Sequence, residues 1–380
     1  MEPKITIYMF EKNSGGEYIW FERIARKIGA EIQFFWKEDG KGPNILPSGI
    51  LNYLVYYLTK LLVKIKPDLS RGIYGLFGIS TYKIQEKSNE ISIMSSTHVP
   101  IPRGKRLIAY IHTPSRLMTI GLKSEIEKRR NSLRSTLFLT LWKNIYYCIY
   151  RVSIQKIECV LSNSNNTKDR LKKYLKVDST VLYPSVDIEH FYTGEIEKFF
   201  FYPSRISPQK RQLMALEAFC EFYKCRTDFK LIFATTSLKS KENRDYLENL
   251  KEYANLHSLP IEIKEGLTRE ELINFYSRAY ACLFSGIDED FGQIPLESQA
   301  ASKPVIAIKE GGTLETIEDG KTGYLVSNAS EMAEKMLRLA KSDTLTKSMG
   351  ETGRKHVEEK FSDEVFINNL KDVIKRHISD

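Results

Sequence analysis

Residues 281–326 read ACLFSGIDEDFGQIPLESQAASKPVIAIKEGGTLETIEDGKTGYLV, and the alternation of apolar and polar runs in this stretch decides the architecture. Ala281 to Phe284 is a short apolar run bounded by turn residues, the pattern of a buried strand. The loop Ser285 to Gly292 follows, then Phe291-Gly292-Gln293-Ile294-Pro295 gives way to a helix over Leu296 to Ala301 with a proline at its first turn. A second strand, Pro304 to Ile308, runs into the glycine turn Gly311-Gly312-Thr313 and a short helix containing Glu315. Strand, loop and helix thus occur twice in about 40 residues, which predicts α/β structure with a parallel sheet.

Ligands of open parallel sheets bind at the carboxyl ends of the strands, where helix amino termini present N–H groups to anions. The backbone amides around Phe291, Gly292, Gln293 and Ile294 and at Gly312 and Thr313 are therefore candidate contacts for phosphates or hydroxyls. Glu289 stands eight residues before Glu297, and the two acids frame the loop as acceptors for a polyhydroxy ligand. A phosphate site with acidic neighbours of this kind suits a sugar.

Upstream, the second half opens with a strand, Phe199 to Pro203, followed by Ser204-Arg205-Ile206-Ser207-Pro208-Gln209-Lys210 and a helix expected from Lys210 to Phe222. Arg205 and Lys210 at a strand's carboxyl end suit a diphosphate, the arginine as a fork and the lysine as a point charge; solvated surface charges are the alternative. Strand-helix pairs continue through Lys230 to Ala234, Asn243 to His257 and Ile261 to Lys264. The turn Gly266-Leu267 then leads to Thr268 and Glu271, spaced as a capping box.

The amino-terminal half alternates in the same way, with strands expected at Lys4 to Phe10, Glu31 to Phe35, Ile91 to Ser95, Leu107 to His112, Cys159 to Ser162 and Thr180 to Tyr183. Ser14-Gly15-Gly16 after the first strand is either a ligand-facing glycine loop or a plain strand-to-helix turn. His98 and His112 both follow strands; His98 reads equally well as structural. The last stretch, Asp363 to Ile378, is amphipathic, with Val365, Phe366, Leu370, Val373 and Ile374 on one face. The whole predicts two Rossmann-like, doubly wound domains, residues 1–185 and 186–362, and a terminal helix over 363–380.

Glu289-Asp290-Phe291-Gly292, Pro295-Leu296-Glu297, Gly311-Gly312, Glu315 and Asp319-Gly320-Lys321-Thr322-Gly323-Tyr324-Leu325 together resemble the E-x7-E signature block of retaining glycosyltransferases of family 4. His112-Thr113-Pro114 is similar to a run in a subgroup that includes many bacterial O-antigen mannosyltransferases. The resemblance implies the GT-B fold, with a cleft between the two domains and the terminal helix crossing back to the first. It also implies retaining transfer of a hexose, with a lean to mannose, from a GDP- or UDP-linked sugar to a glycan or lipid-linked glycan. It assigns the leaving diphosphate to Arg205 and Lys210, donor-sugar hydroxyls to Glu289, ribose hydroxyls to Glu297 and the transferred sugar to His112. Gly15 and Gly16 would face the cleft, Gly266 would lie beside the base, and Arg116 would meet a phosphate of donor or acceptor. Ser204 departs from the glycine common at its position. No cofactor and no metal are expected; Asp288-Glu289-Asp290 has the D-x-D form of a metal motif but lies inside the E-x7-E block.

Composition bounds the rest. The 380 residues carry 57 Lys and Arg against 48 Asp and Glu, a net charge of +9, so an anionic partner is expected. No nucleic-acid-binding motif is present, and nucleic acid is not the expected partner. Residues 119–156 combine Lys123, Lys128, Arg129, Arg130, Arg134, Lys143, Arg151 and Lys156 with Leu133, Phe138, Trp142, Tyr146 and other apolar residues. The stretch reads either as a helix packed on the first domain or as a surface for an anionic membrane. Ile50 to Ile65 is too short and too charged to span a bilayer and predicts a packed amphipathic helix. Five scattered cysteines predict a reducing compartment and core positions. No export signal precedes Lys4, so the expected location is the cytoplasm, with peripheral attachment to the inner face of the membrane as an extension. A sugar-nucleotide epimerase and a non-catalytic sugar-nucleotide-binding module remain as alternative functions.

Overall fold

The computed structural model describes residues 4–10, 16–35, 79, 82–84, 90–96, 101–114, 133–236, 238 and 240–378. Gly15, His98, Arg116 and the Ile50 to Ile65 stretch lie outside these. The chain divides into two compact units, one formed by Met1–Tyr183 with Ile367–Asp380, the other by Pro184–Phe366.

The first unit has six parallel strands among the described residues: β1 (Lys4–Met9), β2 (Glu31–Phe34), β3 (Glu90–Ser96), β4 (Leu107–Ile111), β5 (Cys159–Ser162) and β6 (Thr180–Val181). Their order is β2-β1-β3-β4-β5-β6, so the direction of winding reverses between β1 and β3. All five residues of β4 are buried, as a strand covered on both faces requires. The helix Leu133–Ile154 lays Tyr146, Tyr150 and Ile154 on one side of that sheet. From Ile367 onward the terminal helix, Asp363–Ile378, belongs to this unit and buries Leu370, Val373 and Ile374.

The second unit has β7 (Phe199–Pro203), β8 (Lys230–Thr235), β9 (Ile261–Glu265), β10 (Ala281–Phe284), β11 (Val305–Ile308) and β12 (Gly323–Val326), all parallel, in the order β12-β11-β10-β7-β8-β9. Winding runs outward from β7 to β9, then returns to place β10 on the other side of β7. The central strands β7, β10 and β11 are buried throughout. The edge strand β9 is only half-buried and carries Glu262, paired with Lys230 at 2.7 Å and Lys264 at 2.9 Å, the charged edge that discourages further strand pairing.

Several boundaries differ from those predicted. The helix expected from Lys210 begins at Gln212, because Pro208–Lys210 forms a 3-10 turn and Arg211 adopts a left-handed conformation with φ +48°. The helix expected from Leu296 begins at Gln293, because Gly292 at φ +102° turns the chain directly into it and Pro295 falls within its first turn, where no intrahelical bond is lost. Three of the five cysteines are buried, but Cys148 and Cys225 are exposed.

Candidate active site

In a doubly wound sheet the crevice opens where winding reverses, outside the carboxyl ends of the two strands concerned. In the second unit these strands are β7 and β10. The loop after β7 carries Arg205 and Lys210; the loop after β10 carries Glu289. Lys210 Nζ lies 2.7 Å from Glu289 Oε2, with both side chains one-fifth exposed. The same ammonium lies 5.2 Å from the centroid of the Phe284 ring. The Arg205 side chain is exposed and makes no hydrogen bond or ion pair among the described residues.

Polar side chains beneath the surface hold these loops together. Tyr202, the last residue but one of β7, is fully buried, and its hydroxyl donates to the Lys210 carbonyl and accepts from the Ser285 amide at 2.9 Å. Ser285 Oγ donates to the Arg211 carbonyl at 2.8 Å, and the Ile287 amide donates to the Gln209 carbonyl at 2.9 Å. Gln212, also fully buried, donates to Ser204 Oγ at 2.9 Å and to the Arg205 carbonyl at 3.0 Å. Burial pushes the Tyr202 phenol above its ordinary pKa, so it remains a donor. Tyr202, Ser285 and Gln212 were not singled out in the sequence. The available signal was a tyrosine in an otherwise apolar buried strand, whose hydroxyl must find a partner.

The loop after β11 packs on the same region. The Gly312 amide donates to the Glu289 carbonyl at 2.7 Å, so of the two amides expected to face phosphate here, this one is engaged inside the protein. A Cβ on Gly312 would fall 2.3 Å from the Phe291 carbonyl carbon, so only glycine permits this contact. The Thr313 hydroxyl is likewise used internally, donating to the Ile308 carbonyl at 2.6 Å. Arg211 and Glu310 close the seam with an ion pair at 3.0 Å. Gln293 and Ile294 occupy the first two positions of their helix, where amides have no intrahelical acceptor.

Glu297 lies one turn into that helix and is 8% exposed. Oε1 accepts from Arg269 Nη1 at 2.7 Å and Oε2 from the Tyr276 hydroxyl at 2.8 Å. Gly266, at φ +70°, directly follows β9 and donates its amide to the Thr235 carbonyl at 2.9 Å. The predicted capping box is formed in both directions between Thr268 and Glu271.

His112 belongs to the first unit. It follows β4, half-buried, with its ring edge-on to Tyr110, Phe21 and Trp20 at 4.9, 5.7 and 6.0 Å between centroids. Its carbonyl accepts from Thr167 Oγ1 at 3.2 Å. Gly16 is the first residue of the helix Gly16–Ile28.

Residues 187–356 match the family of glycosyl transferases group 1. The chain is 31% identical over 322 residues to alpha-1,3/1,6-mannosyltransferase ALG2 of Dictyostelium discoideum, covering 71% of this chain and 70% of that protein. The human protein of the same name is 27% identical over 303 residues, covering 70% of this chain and 67% of its own length. Among solved structures, Anabaena HepE in complex with UDP superposes with a TM-score of 0.68 at 14% identity, over 98% of this chain and 100% of that one. Sucrose-phosphate synthase of Thermosynechococcus elongatus gives a TM-score of 0.67 at 15% identity, over 99% of both chains.

Proposed function

The chain belongs to the group 1 glycosyl transferases and has their GT-B fold, and from that premise we propose that it transfers mannose from a nucleotide diphosphate sugar to a hydroxyl of a glycan or lipid-linked glycan. Its glycosyltransferase class follows from the family. The mannosyl lean is supported by the mannosyltransferase relatives, whereas the neighbour solved with UDP keeps the base open between guanine and uracil.

The observation that carries the reading is the Lys210–Glu289 pair at the winding reversal, which sets a cation and a carboxylate side by side at the mouth of the sheet. The diphosphate would meet Lys210, Arg205 and the amides of Gln293 and Ile294. These groups develop favourable interactions as negative charge grows on the departing oxygen. Glu289, released from part of its contact with Lys210 when phosphate arrives, would accept hydrogen bonds from the donor sugar. Phe291, Gly292 and Thr313 shape the loop around it, and Glu297 would take the ribose. Gly266 would border the base. His112, Gly15 and Gly16 keep the roles that the resemblance implies for them, and Arg116 the phosphate contact expected from its place in the sequence after His112.

The reaction breaks the bond between the sugar's anomeric carbon and the diphosphate oxygen and forms a bond from the same face to the acceptor oxygen. The acceptor's proton passes to the departing phosphate oxygen, and attack on the face the leaving group vacates retains the configuration. Cationic side chains and helix amides supply the charge that a divalent ion supplies elsewhere, which supports metal-independent transfer.

An anionic membrane surface is proposed as a further partner. In the first unit, a slot of about 430 Å³ is lined by Ile101, Ile149, Val152 and Ile157 together with the basic Arg103 and Lys156. No helix among the described residues is long and apolar enough to cross a membrane.

Thermal stabilisation of the protein by GDP-mannose, UDP-glucose and UDP-N-acetylglucosamine tests the donor, followed by product analysis with and without EDTA. Stabilisation by a UDP-sugar alone overturns the mannosyl lean. Consumption of donor without any acceptor favours an epimerase, and activity abolished by EDTA overturns metal independence.

A further inference from the structure

The Glu297 carboxylate is held by two donors from one neighbouring helix, Arg269–Arg278. Arg269 is its first residue and Tyr276 lies seven residues on, two turns along the same face. The Arg269 guanidinium lies over the Phe191 ring, 5.1 Å from its centroid, and that ring meets Tyr276 edge-on at 5.8 Å. The Arg269 side chain is 46% exposed and that of Glu297 11%.

A basic residue at the first position of a helix is opposed by the helix dipole. Here the Glu297 carboxylate offsets that cost. The capping box formed by Thr268 and Glu271 fixes where the helix begins and therefore where the guanidinium is delivered. Burial, and then the neighbouring Glu297 charge, pushes the Tyr276 phenol well above its ordinary pKa, so it acts only as a donor to the carboxylate.

An ionised carboxylate offers about four lone-pair positions, and Arg269 and Tyr276 occupy one on each oxygen. One remains on each. The terminal torsion of a glutamate is broad when unrestrained, and donors on both oxygens fix it. Adjacent hydroxyls of a ribose are two donors of the kind the remaining positions accept.

We propose that Arg269 and Tyr276 are positioning residues for the donor nucleotide, holding Glu297 so that its two remaining lone pairs meet the 2′- and 3′-hydroxyls of the ribose. Arg269 then governs nucleotide affinity through Glu297. This rests on the assignment of Glu297 to the ribose made above.

The test is isothermal titration calorimetry of the full chain with GDP and UDP and with the 2′,3′-dideoxy form of each. The wild type is expected to bind its preferred ribonucleotide at least about tenfold more tightly than the dideoxy form, the factor for losing hydrogen bonds to a charged group. Arg269→Ala is expected to bring ribonucleotide affinity down to the dideoxy level while leaving dideoxy affinity within about twofold of wild type. Tyr276→Phe, which removes one hydroxyl from an intact core, is expected to lose part of the same discrimination, and Arg269→Lys to restore part of it. Equal weakening of both nucleotide forms by Arg269→Ala overturns the proposal, since a structural role or a direct phosphate contact does not distinguish them. Unchanged discrimination in both Arg269→Ala and Tyr276→Phe overturns it as well. A wild type that binds both forms equally, or binds neither nucleotide, instead overturns the ribose assignment of Glu297 and with it the proposal.

Discussion

Lys210 and Glu289 show what a single contact implies for catalysis. Their 2.7 Å pair is sheltered but open to ligand, so phosphate oxygens can compete for the ammonium without uncovering a buried charge. Lys210→Ala is expected to lower kcat by about 10²- to 10³-fold, the range for removing one group that stabilises developing negative charge. A steady-state assay checks this, and a variant with near wild-type kcat removes Lys210 from the chemistry. Glu297→Ala is expected to weaken nucleotide diphosphate binding by about 1–3 kcal/mol, through lost hydrogen bonds to a charged acceptor. Calorimetric affinity equal to wild type would remove Glu297 from the nucleotide site.

At the scale of elements, one close packing and one buried amine flank β11. The turn after β11 rests on the loop after β10 through the contact between Gly312 and Phe291, and the first methyl group placed there must separate them. Gly312→Ala is therefore expected to cost about 1–3 kcal/mol of stability, as overpacking does, and to weaken nucleotide binding as well. Urea unfolding and calorimetry together decide; an unaffected variant shows that the loops can part at no cost. At the other end of β11, Lys303 is fully buried and donates to the Gly194 carbonyl at 3.3 Å. Burial brings its amine down from an ordinary 10.5 to about 8. Between those pH values the unfolded chain holds more protons than the folded one, so the penalty is complete below about 8 and fades as pH rises towards the ordinary value. Lys303→Met is expected to stabilise the protein at pH 7 by about 1–3 kcal/mol. That advantage should shrink as pH is raised through the same window, and an advantage independent of pH would trace it to packing instead.

For the molecule as a whole, a net charge of +9 leaves an excess of positive charge to be matched by some partner. Part of that excess borders apolar surface in the first unit, where Val152, 53% exposed, lines the same slot as Arg103 and Lys156. Basic side chains beside an anionic leaflet contribute about 1 kcal/mol each, and salt screens them. Sedimentation with vesicles rich in phosphatidylglycerol is expected to exceed that with phosphatidylcholine at low salt and to fall as salt is added. Replacing Arg103 and Lys156 together by glutamate should abolish the difference. Equal sedimentation with both vesicle types would leave a soluble acceptor as the better account.

The sequence by itself determined that the chain makes two parallel-sheet units, because short apolar runs alternating with helical periodicity admit few other solutions, and it located Arg205, Lys210 and Glu289 in loops after strands and Glu297 in the helix that follows such a loop. The capping box at Thr268 was legible for the same reason, since its spacing is local. Strand order could not be read, because pairing between β7 and β10 joins residues about 80 apart through backbone groups that all residues share. The placement of Lys210 against Glu289, the left-handed Arg211 that delays its helix and the Arg269–Tyr276 clamp on Glu297 depend on that order. Only the tertiary structure decided them: the first and last are contacts between loops or helices that the sheet brings together, and Arg211 is tied to the distant Ser285 and Glu310.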